Sequence, residues 1–248
     1  MTSSPLALNV QNLVVELDKH RIIDDISFRV PIGSVTAIIG PNGAGKSVLI
    51  KCLLKLLPKQ SGTVEIMGIN HDNYRKIAPQ VSYIPQYINI DRQFPLTVAG
   101  LFSLKSPRPL GLSQLEKQHM HNLLAKTNTK HLLNSRLSTL SGGQLQRIIL
   151  AYSLMDHPKI LLLDEPSAGI DAEGQDTIYT LLSRIQKEEK LTMILISHEL
   201  QIVMNYADQV LCLNKQLLCS GTPQKVLTNE TLQHMYGTEF GHFLHRHH

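Results

Sequence analysis

Hydrophobic positions along this chain change rhythm several times, and the order of the changes outlines the architecture. Two apolar-rich runs, Leu8 to Leu17 and Arg21 to Val30, flank the polar turn Asp18-Lys19-His20 and predict a pair of strands. The apolar run Val35 to Ile39 predicts a buried strand, and Val48 to Leu57 follows with helical spacing. Pro58-Lys59-Gln60-Ser61-Gly62 is a turn, after which Thr63 to Met67 and Val81 to Ile84 predict further strands, the second ending at Pro85-Gln86. From about Tyr87 to Leu154 helical periodicity takes over. Ser113-x-x-Glu116 is a capping box at the head of a polar helix, and Leu145, Ile148, Ile149 and Tyr152 form an i, i+3, i+4, i+7 stripe. Strand and helix then alternate again: Ile160 to Leu163, Gln175 to Ile185, Thr192 to Ile196 and Glu199 to Ala207. Strands separated by helices imply a largely parallel sheet buried on both faces, here interrupted by a helical insertion. A hairpin, Val210 to Ser220, and a short helix begun by Thr222-Pro223 close the pattern.

Composition narrows this only a little. A length of 248 residues is enough for a sizeable core. The net charge of +4 comes without a long basic block, which argues against nucleic acid as the main partner. Three cysteines, Cys52, Cys212 and Cys219, are sparse and odd in number, so the expectation is packed thiols in a reducing compartment rather than a disulfide framework. The opening Met1-Thr2-Ser3-Ser4 has no basic segment followed by an apolar core, and no apolar run approaches the roughly 20 residues of a membrane span. The expected location is therefore cytoplasmic, with any membrane role exercised through a partner.

Chemistry enters at Gly40-Pro41-Asn42-Gly43-Ala44-Gly45-Lys46-Ser47, which fills the template G-x-x-x-x-G-K-[ST] between a strand and a helix. The glycines let the backbone curl so that N–H groups converge on phosphates, helped by the positive end of the following helix. Lys46 is placed to reach the β- and γ-phosphates of a nucleotide, and the Ser47 hydroxyl to ligate Mg²⁺. A second constellation, Ile160 to Pro166, is a core strand delivering Asp164 and Glu165 at its end. Asp164 can hold Mg²⁺, usually through water, and Glu165 can orient and polarise an attacking water. The third is Ser141-Gly142-Gly143-Gln144: a capping box whose serine and glycines also expose N–H groups suited to an anion.

Together these three segments, with Leu140 and Gln146-Arg147 around the third and Leu163 and Pro166 around the second, resemble the ATP-binding-cassette ATPases over nearly the whole chain up to about Gly221. The resemblance implies an α/β fold: a P-loop NTPase core with a mostly parallel sheet, an antiparallel β subdomain and an inserted helical subdomain at about 87–154. The cassette would occupy 1–222, and a C-terminal helix with a histidine-rich tail 223–248. It also implies a composite site, in which two copies face head to tail and ATP lies between one copy's phosphate loop and the other's Ser141 to Gln144. By the same resemblance Gln86 is the glutamine that senses Mg²⁺ and water, Asp171 belongs to the loop crossing the dimer interface, and His198 is the switch histidine near the γ-phosphate and Glu165. Leu17 stands where most cassettes stack an aromatic on adenine. Such stacking contributes about 1–3 kcal/mol in nucleic-acid binders, so weaker nucleotide affinity or poorer base selectivity is expected unless His20 substitutes. Val48 replaces the usual threonine after the magnesium-binding hydroxyl, and Glu199 follows His198 where aspartate is commoner.

Single cassettes of this size usually energise transporters from the cytoplasmic face of the membrane, through permease subunits that dock near Tyr87 to Leu104, with an extracytoplasmic metal-binding protein as an indirect partner. Within the family the nearest likeness is to the ATPases of bacterial zinc importers, and more loosely to manganese and iron ones. It is carried by Asp208 to Asn214, Cys219 to Pro223, Met235-Tyr236-Gly237 and the histidine-rich end. A cassette acting on ribosomes or in DNA repair is the rival reading; those usually fuse two cassettes or insert a coiled coil, and no sustained heptads occur here. A silent nucleotide-binding regulator is opposed by the presence of Lys46, Glu165 and His198. The tail His242-x-x-His245-x-His247-His248 has donors enough for Zn²⁺, which would make it a weak cytoplasmic metal sensor or acceptor; a solvated tail without metal is the alternative reading. Calorimetry with Zn²⁺ on the full chain and on a chain ending at Gly241 should show binding by the first alone; equal binding by both rejects the tail as a site.

Overall fold

The computed structural model describes residues 5–88, 91, 95–108, 111–168, 170 and 172–237, the side chains of 172–176 excepted. The strands are β1 (Leu6–Leu17), β2 (His20–Pro31), β3 (Val35–Ile39), β4 (Ser61–Ile66), β5 (Ile69–Asn70), β6 (Val81–Ile84), β7 (Ile160–Asp164), β8 (Thr192–Ile196), β9 (Gln209–Asn214) and β10 (Gln216–Gly221). They form two sheets. The smaller is antiparallel in the order β2-β1-β4-β5, and the larger runs β10-β9-β3-β8-β7-β6, parallel throughout except for the β9/β10 hairpin.

Alternation of side chains organises both sheets, shifted by one residue at the register irregularities of β1 and β2. In β2 the apolar Ile23, Ile26, Phe28 and Val30 are buried while Arg21, Asp25, Ser27 and Arg29 are exposed, so one face of the smaller sheet meets the core and the other meets water. The larger sheet is covered on both sides. Ile38, Leu162 and Ile194 join a cluster with Leu13, Ile23 and the helix α1 (Lys46–Leu53) through Leu49, Ile50 and Leu53. Their strand neighbours Leu161, Leu163, Met193 and Leu195 point the other way, into a cluster with the helices α3 (Val98–Ser103), α4 (Gln114–Lys126), α5 (Gly142–Ser153) and α6 (Ala172–Glu189). At the β9 end, Ala37, Ile39, Val210 and Cys212 pack on α7 (Leu200–Tyr206) and α9 (Asn229–Tyr236). The short helices α2 (Tyr74–Ile77) and α8 (Pro223–Val226) cap connections.

The helical stretch between β6 and β7 is stitched by its caps. Thr97 accepts from the N–H of Gly100 at the head of α3, and Ser113 with Glu116 forms the capping box at α4. The Val98 N–H donates to the Ser135 carbonyl and the Leu137 N–H to that of Leu96, which ties the start of α3 to the segment before α5.

Three features differ from the expectations. Helix α1 spans Lys46–Leu53 rather than 48–57, because Lys55 turns left-handed at φ 56° and the chain leaves the helix there. The elements β5 and α2 appear where periodicity was too brief to announce them, and the C-terminal helical segment is two helices, α8 and α9, instead of one. The third is a correction: Cys212 and Cys219 are joined as a disulfide, with Cα atoms 4.9 Å apart, rather than lying as separate packed thiols. The cause is a register shift. Asn214 pairs with Gln216 and Leu213 with Leu217, but an irregularity past Leu217 pushes Leu218 out of the ladder and sets Cys219, in its place, opposite Cys212.

Leu49 is 1% exposed and anchors α1 beneath the smaller sheet. Leu49→Ala should cost about 2–5 kcal/mol of stability, through lost burial and an unfilled cavity. Urea unfolding reads this as a lower midpoint at unchanged slope; an unchanged midpoint would place α1 outside the cooperative core.

Candidate active site

Four adjacent parallel strands end at one edge, where open α/β sheets gather ligands. Ile38, Ile196 and Asp164 lie in one row of the register, and Ile84 pairs with Leu163. Counting outward from that row puts Gly40 two residues beyond Ile38, His198 two beyond Ile196, Glu165 one beyond Asp164 and Gln86 two beyond Ile84. Residues dispersed across the sequence thus meet because their strands stop within one residue of a common row.

Gly40 opens the phosphate loop against the neighbouring hairpin. A Cβ at that position would lie 2.0 Å from the Leu213 carbonyl oxygen, so no side chain fits without moving β9. Gly45, at φ 97°, serves as N-cap of α1 with no side-chain cap, and a Cβ there would meet the Ile22 carbonyl oxygen at 2.9 Å. The first-turn N–H groups of α1 are left for an outside acceptor, the usual basis of phosphate binding at a helix start. Pro41 is half-buried, Asn42 and Gly43 are exposed, Ala44 is buried, and Val48 packs against the core from the start of α1. Lys46 is only 7% exposed, and its ammonium donates to the carbonyls of Gly40 at 2.7 Å and Pro41 at 2.9 Å. Burial lowers its pKa, while the charges of Glu165 and Asp164 oppose the drop.

The two acids sit differently. Asp164 is buried, and desolvation raises its pKa against hydrogen bonds from the Ser47 and Tyr83 hydroxyls, the latter at 3.5 Å. Glu165 adopts a left-handed backbone at φ 48°, with its N–H donated to the Ile196 carbonyl at 3.1 Å. Its carboxylate is clamped on both oxygens: by the Gln86 side-chain amide on one and by His198 Nε2 at 2.5 Å on the other. The His198 contact holds its pKa below the ordinary carboxylate value, with the charges of His198 and Lys46 and the Gln86 bond acting in the same direction and burial opposing them. An all-oxygen set from Ser47, Asp164 and the Gln86 amide matches what Mg²⁺ accepts.

The sequence profile of the ABC transporter family matches residues 23–168. The chain belongs to the ABC transporter family. It is 37% identical over 230 residues to "Zinc import ATP-binding protein ZnuC" of Wigglesworthia glossinidia brevipalpis, covering 93% of this chain and 92% of the relative. To the ZnuC of Pasteurella multocida (strain Pm70) it is 36% identical over 233 residues, covering 94% and 82%. Among solved structures, the cassette superposes on cbiO1 of Clostridium perfringens, described as part of the ABC transporter complex cbiONQ, with TM-score 0.80, 27% identity and coverage of 98% and 99%. The ADP conformation of MJ1267, an ATP-binding cassette of an ABC transporter, gives TM-score 0.84 at 25% identity, covering 94% and 99%. The fold is accordingly that of an ABC ATPase, and the cassette is an ATPase.

Other predicted site residues lie apart from this edge. Ser141 and Gly142 are exposed, Gly143 and Gln144 half-buried, and their hydrogen bonds stay local: Ser141 and Gln144 close the capping box, and Arg147 Nε donates to the Gly143 carbonyl. Leu17 is half-buried opposite the exposed His20 at the end of the β1/β2 hairpin, where the His20 ring is tied to the Asp18 carbonyl at 2.8 Å. Asp171 and the tail His242, His245, His247 and His248 lie outside the described residues.

Sequence reasoning missed a supporting network. The buried Ser167 hydroxyl donates to Glu199 at 2.9 Å and meets the Tyr179 hydroxyl at 3.2 Å, while the Glu199 N–H donates to the Ser197 hydroxyl at 3.1 Å. It links the loop after Glu165 to the loop bearing His198. The one available signal was Glu199 in an uncommon position; Tyr83 and Tyr179 carried none.

The sign of the Glu165 shift fixes a pH dependence. With its folded pKa below the ordinary 4.5, its contribution to stability is complete above that value and is lost as pH falls toward the folded pKa. Urea unfolding from about pH 7 to about pH 3 should show a smaller acid-side loss in Glu165→Gln than in the wild type. Parallel curves would mean that the clamp adds nothing.

Proposed function

We propose that the cassette binds ATP with Mg²⁺ and hydrolyses it as the energy-supplying subunit of a zinc importer. The convergence of Lys46, the Ser47–Asp164 pair and the Gln86–Glu165–His198 clamp at one sheet edge carries this reading. Mg²⁺ held by Ser47, Asp164 and Gln86 would supply charge neutralisation at the phosphate oxygens. Lys46 exchanges its two loop carbonyls for β- and γ-phosphate oxygens, and the glycine-rich backbone cradles the rest. Glu165 orients the attacking water. A carboxylate with a depressed pKa is a poor proton acceptor, so its work while clamped is positioning and charge, and His198 fixes its direction.

The exposed Ser141 and Gly142 and the half-buried Gly143 and Gln144 are available to a second copy of the chain, whose phosphate loop they would close in a head-to-tail dimer with Asp171 at the crossing. Leu17 and His20 would border the adenine. Tyr87, next to Gln86 in the chain, and Leu104, at the end of α3, are 75% and 67% exposed and would offer apolar contacts to membrane permease subunits. Among the described residues no helix is long and apolar enough to cross a membrane. The cassette would work at the cytoplasmic face through those permease subunits. Zinc as cargo, delivered by an extracytoplasmic metal-binding protein, is supported by the ZnuC relatives; nucleic acid has no place in the scheme.

Purified Glu165→Gln should keep ATP binding, lose turnover about 10²-fold or more, and accumulate an ATP-bound dimer. Cells lacking the protein should lose Zn²⁺ uptake, with Mn²⁺ and Fe²⁺ uptake intact, and wild type but not Glu165→Gln should restore it. Normal turnover by the variant overturns the Glu165 role, and loss of Mn²⁺ or Fe²⁺ uptake alone overturns zinc.

A further inference from the structure

We propose that Cys212 and Cys219 form a reversible dithiol/disulfide site that controls how firmly the phosphate loop is backed, an inference that rests on reading that loop as the ATP site. Cys212 pairs in parallel register with Ile39, the last residue before the loop. Between the two cysteines runs the tip of the β9/β10 hairpin, and this tip is the seat of the loop. The Leu213 carbonyl packs on Gly40 so closely that a Cβ has no room. The Lys215 N–H donates to the Ala44 carbonyl at 3.0 Å, and the Lys215 carbonyl accepts from the Asp24 N–H at 2.9 Å. Gln216 adds a side-chain bond to Asp24 at 2.9 Å, so the tip joins the loop to β2.

The Cα separation of 4.9 Å lies inside the range of roughly 4.4–6.8 Å that a disulfide spans. Access is one-sided. Cys212 is fully buried, whereas Cys219 is half-buried on β10, the outermost strand of the larger sheet. A low-molecular-weight disulfide such as oxidised glutathione would therefore be attacked by the Cys219 thiolate, expelling one glutathione thiolate and leaving a mixed disulfide. The Cys212 thiolate then attacks the Cys219 sulfur and expels the second glutathione. Two thiol protons and two electrons leave the protein, and the oxidant departs as two molecules of reduced glutathione; two glutathione thiols reverse the sequence. Cys52 takes no part, being buried on α1 with its thiol pKa pushed up to about 11. Closing the ring restricts Leu213 to Leu218 and keeps the Lys215 N–H on Ala44. The oxidised cassette holds the loop preorganised, and reduction loosens it.

The test equilibrates the full-length protein in glutathione buffers of graded ratio, then alkylates in denaturant and counts adducts by intact mass. Of the three cysteines, one should be alkylated at the oxidising end and all three at the reducing end. A fluorescent ATP analogue should bind several-fold more tightly to the oxidised form. Cys219→Ser, at the half-exposed position, should show no change in ATP affinity across the series and match the reduced wild type. Three adducts in every buffer, one adduct in every buffer, or equal ATP affinity of the two forms would each overturn the proposal. Failure of both forms to bind ATP would refute the nucleotide assignment and the coupling with it, leaving the adduct counts to judge the thiol chemistry separately.

Discussion

Termination of four parallel strands within one residue of a common row is the constraint on which the rest of this protein depends. β3, β8, β7 and β6 are neighbours in the larger sheet, and their pairing fixes how far each carries its last residue toward the common edge. A register slip of one residue in β7 would turn Asp164 from the loop side to the opposite face and break its bond with Ser47, because side-chain direction alternates with period two. The two-sided burial of the sheet resists such a slip, since it would also exchange Leu162 with Leu161 and Leu163 between different clusters. Core packing and site geometry are therefore enforced by the same alternation.

The charges at the edge are compensated only as a group. Burial pushes Lys46 down and Asp164 up, each toward its neutral form, and each is restrained by the charge of the other. Glu165 adds to the field that keeps Lys46 protonated, yet it raises Asp164, so the second acid supports one partner at the expense of the other. The balance explains the clamp from Gln86 and His198. Those bonds stabilise the ionised Glu165 without placing its charge nearer to Asp164. Truncating one member of a buried charged set leaves the others uncompensated, which costs more than the lost contact itself.

Much of this was legible in the sequence. Val35–Ile39, Val81–Ile84 and Thr192–Ile196 were readable to the residue because continuous apolar runs bounded by turn residues admit few alternatives. The loop Gly40 to Ser47 was readable because its glycines answer to backbone geometry, which the collision of a Cβ at Gly40 with Leu213 makes concrete. What escaped depends on register or on distant contacts. The Cys212–Cys219 pairing turns on one irregularity at Leu218, and a spacing of seven residues in a hairpin does not reveal it. The partnership of Glu199 with Ser167 joins loops 32 residues apart that meet only because β7 and β8 are adjacent. Ser141 was legible in kind, as a capping box, but the phosphate it would serve is not a property of one chain.

The sheet edge and the head of α5 differ in how completely their polar groups are paired. At the sheet edge nearly every polar group is engaged: Lys46 with two carbonyls, Asp164 with two hydroxyls, Glu165 with an amide and an imidazole. At the head of α5 the capping box satisfies Gln144, and the Leu145 N–H reaches the Ser141 carbonyl, but the Gly142 and Gly143 N–H groups have no hydrogen bond among the described residues. Helix starts normally have such groups met by side chains, water or a ligand. Glycine at these two positions keeps the approach open, since a Cβ on Gly143 would touch nothing. A surface that forgoes side chains over unpaired donors, at the end of a helix whose other face is buried in the core, suits an acceptor from outside the chain in the way helix starts suit anions.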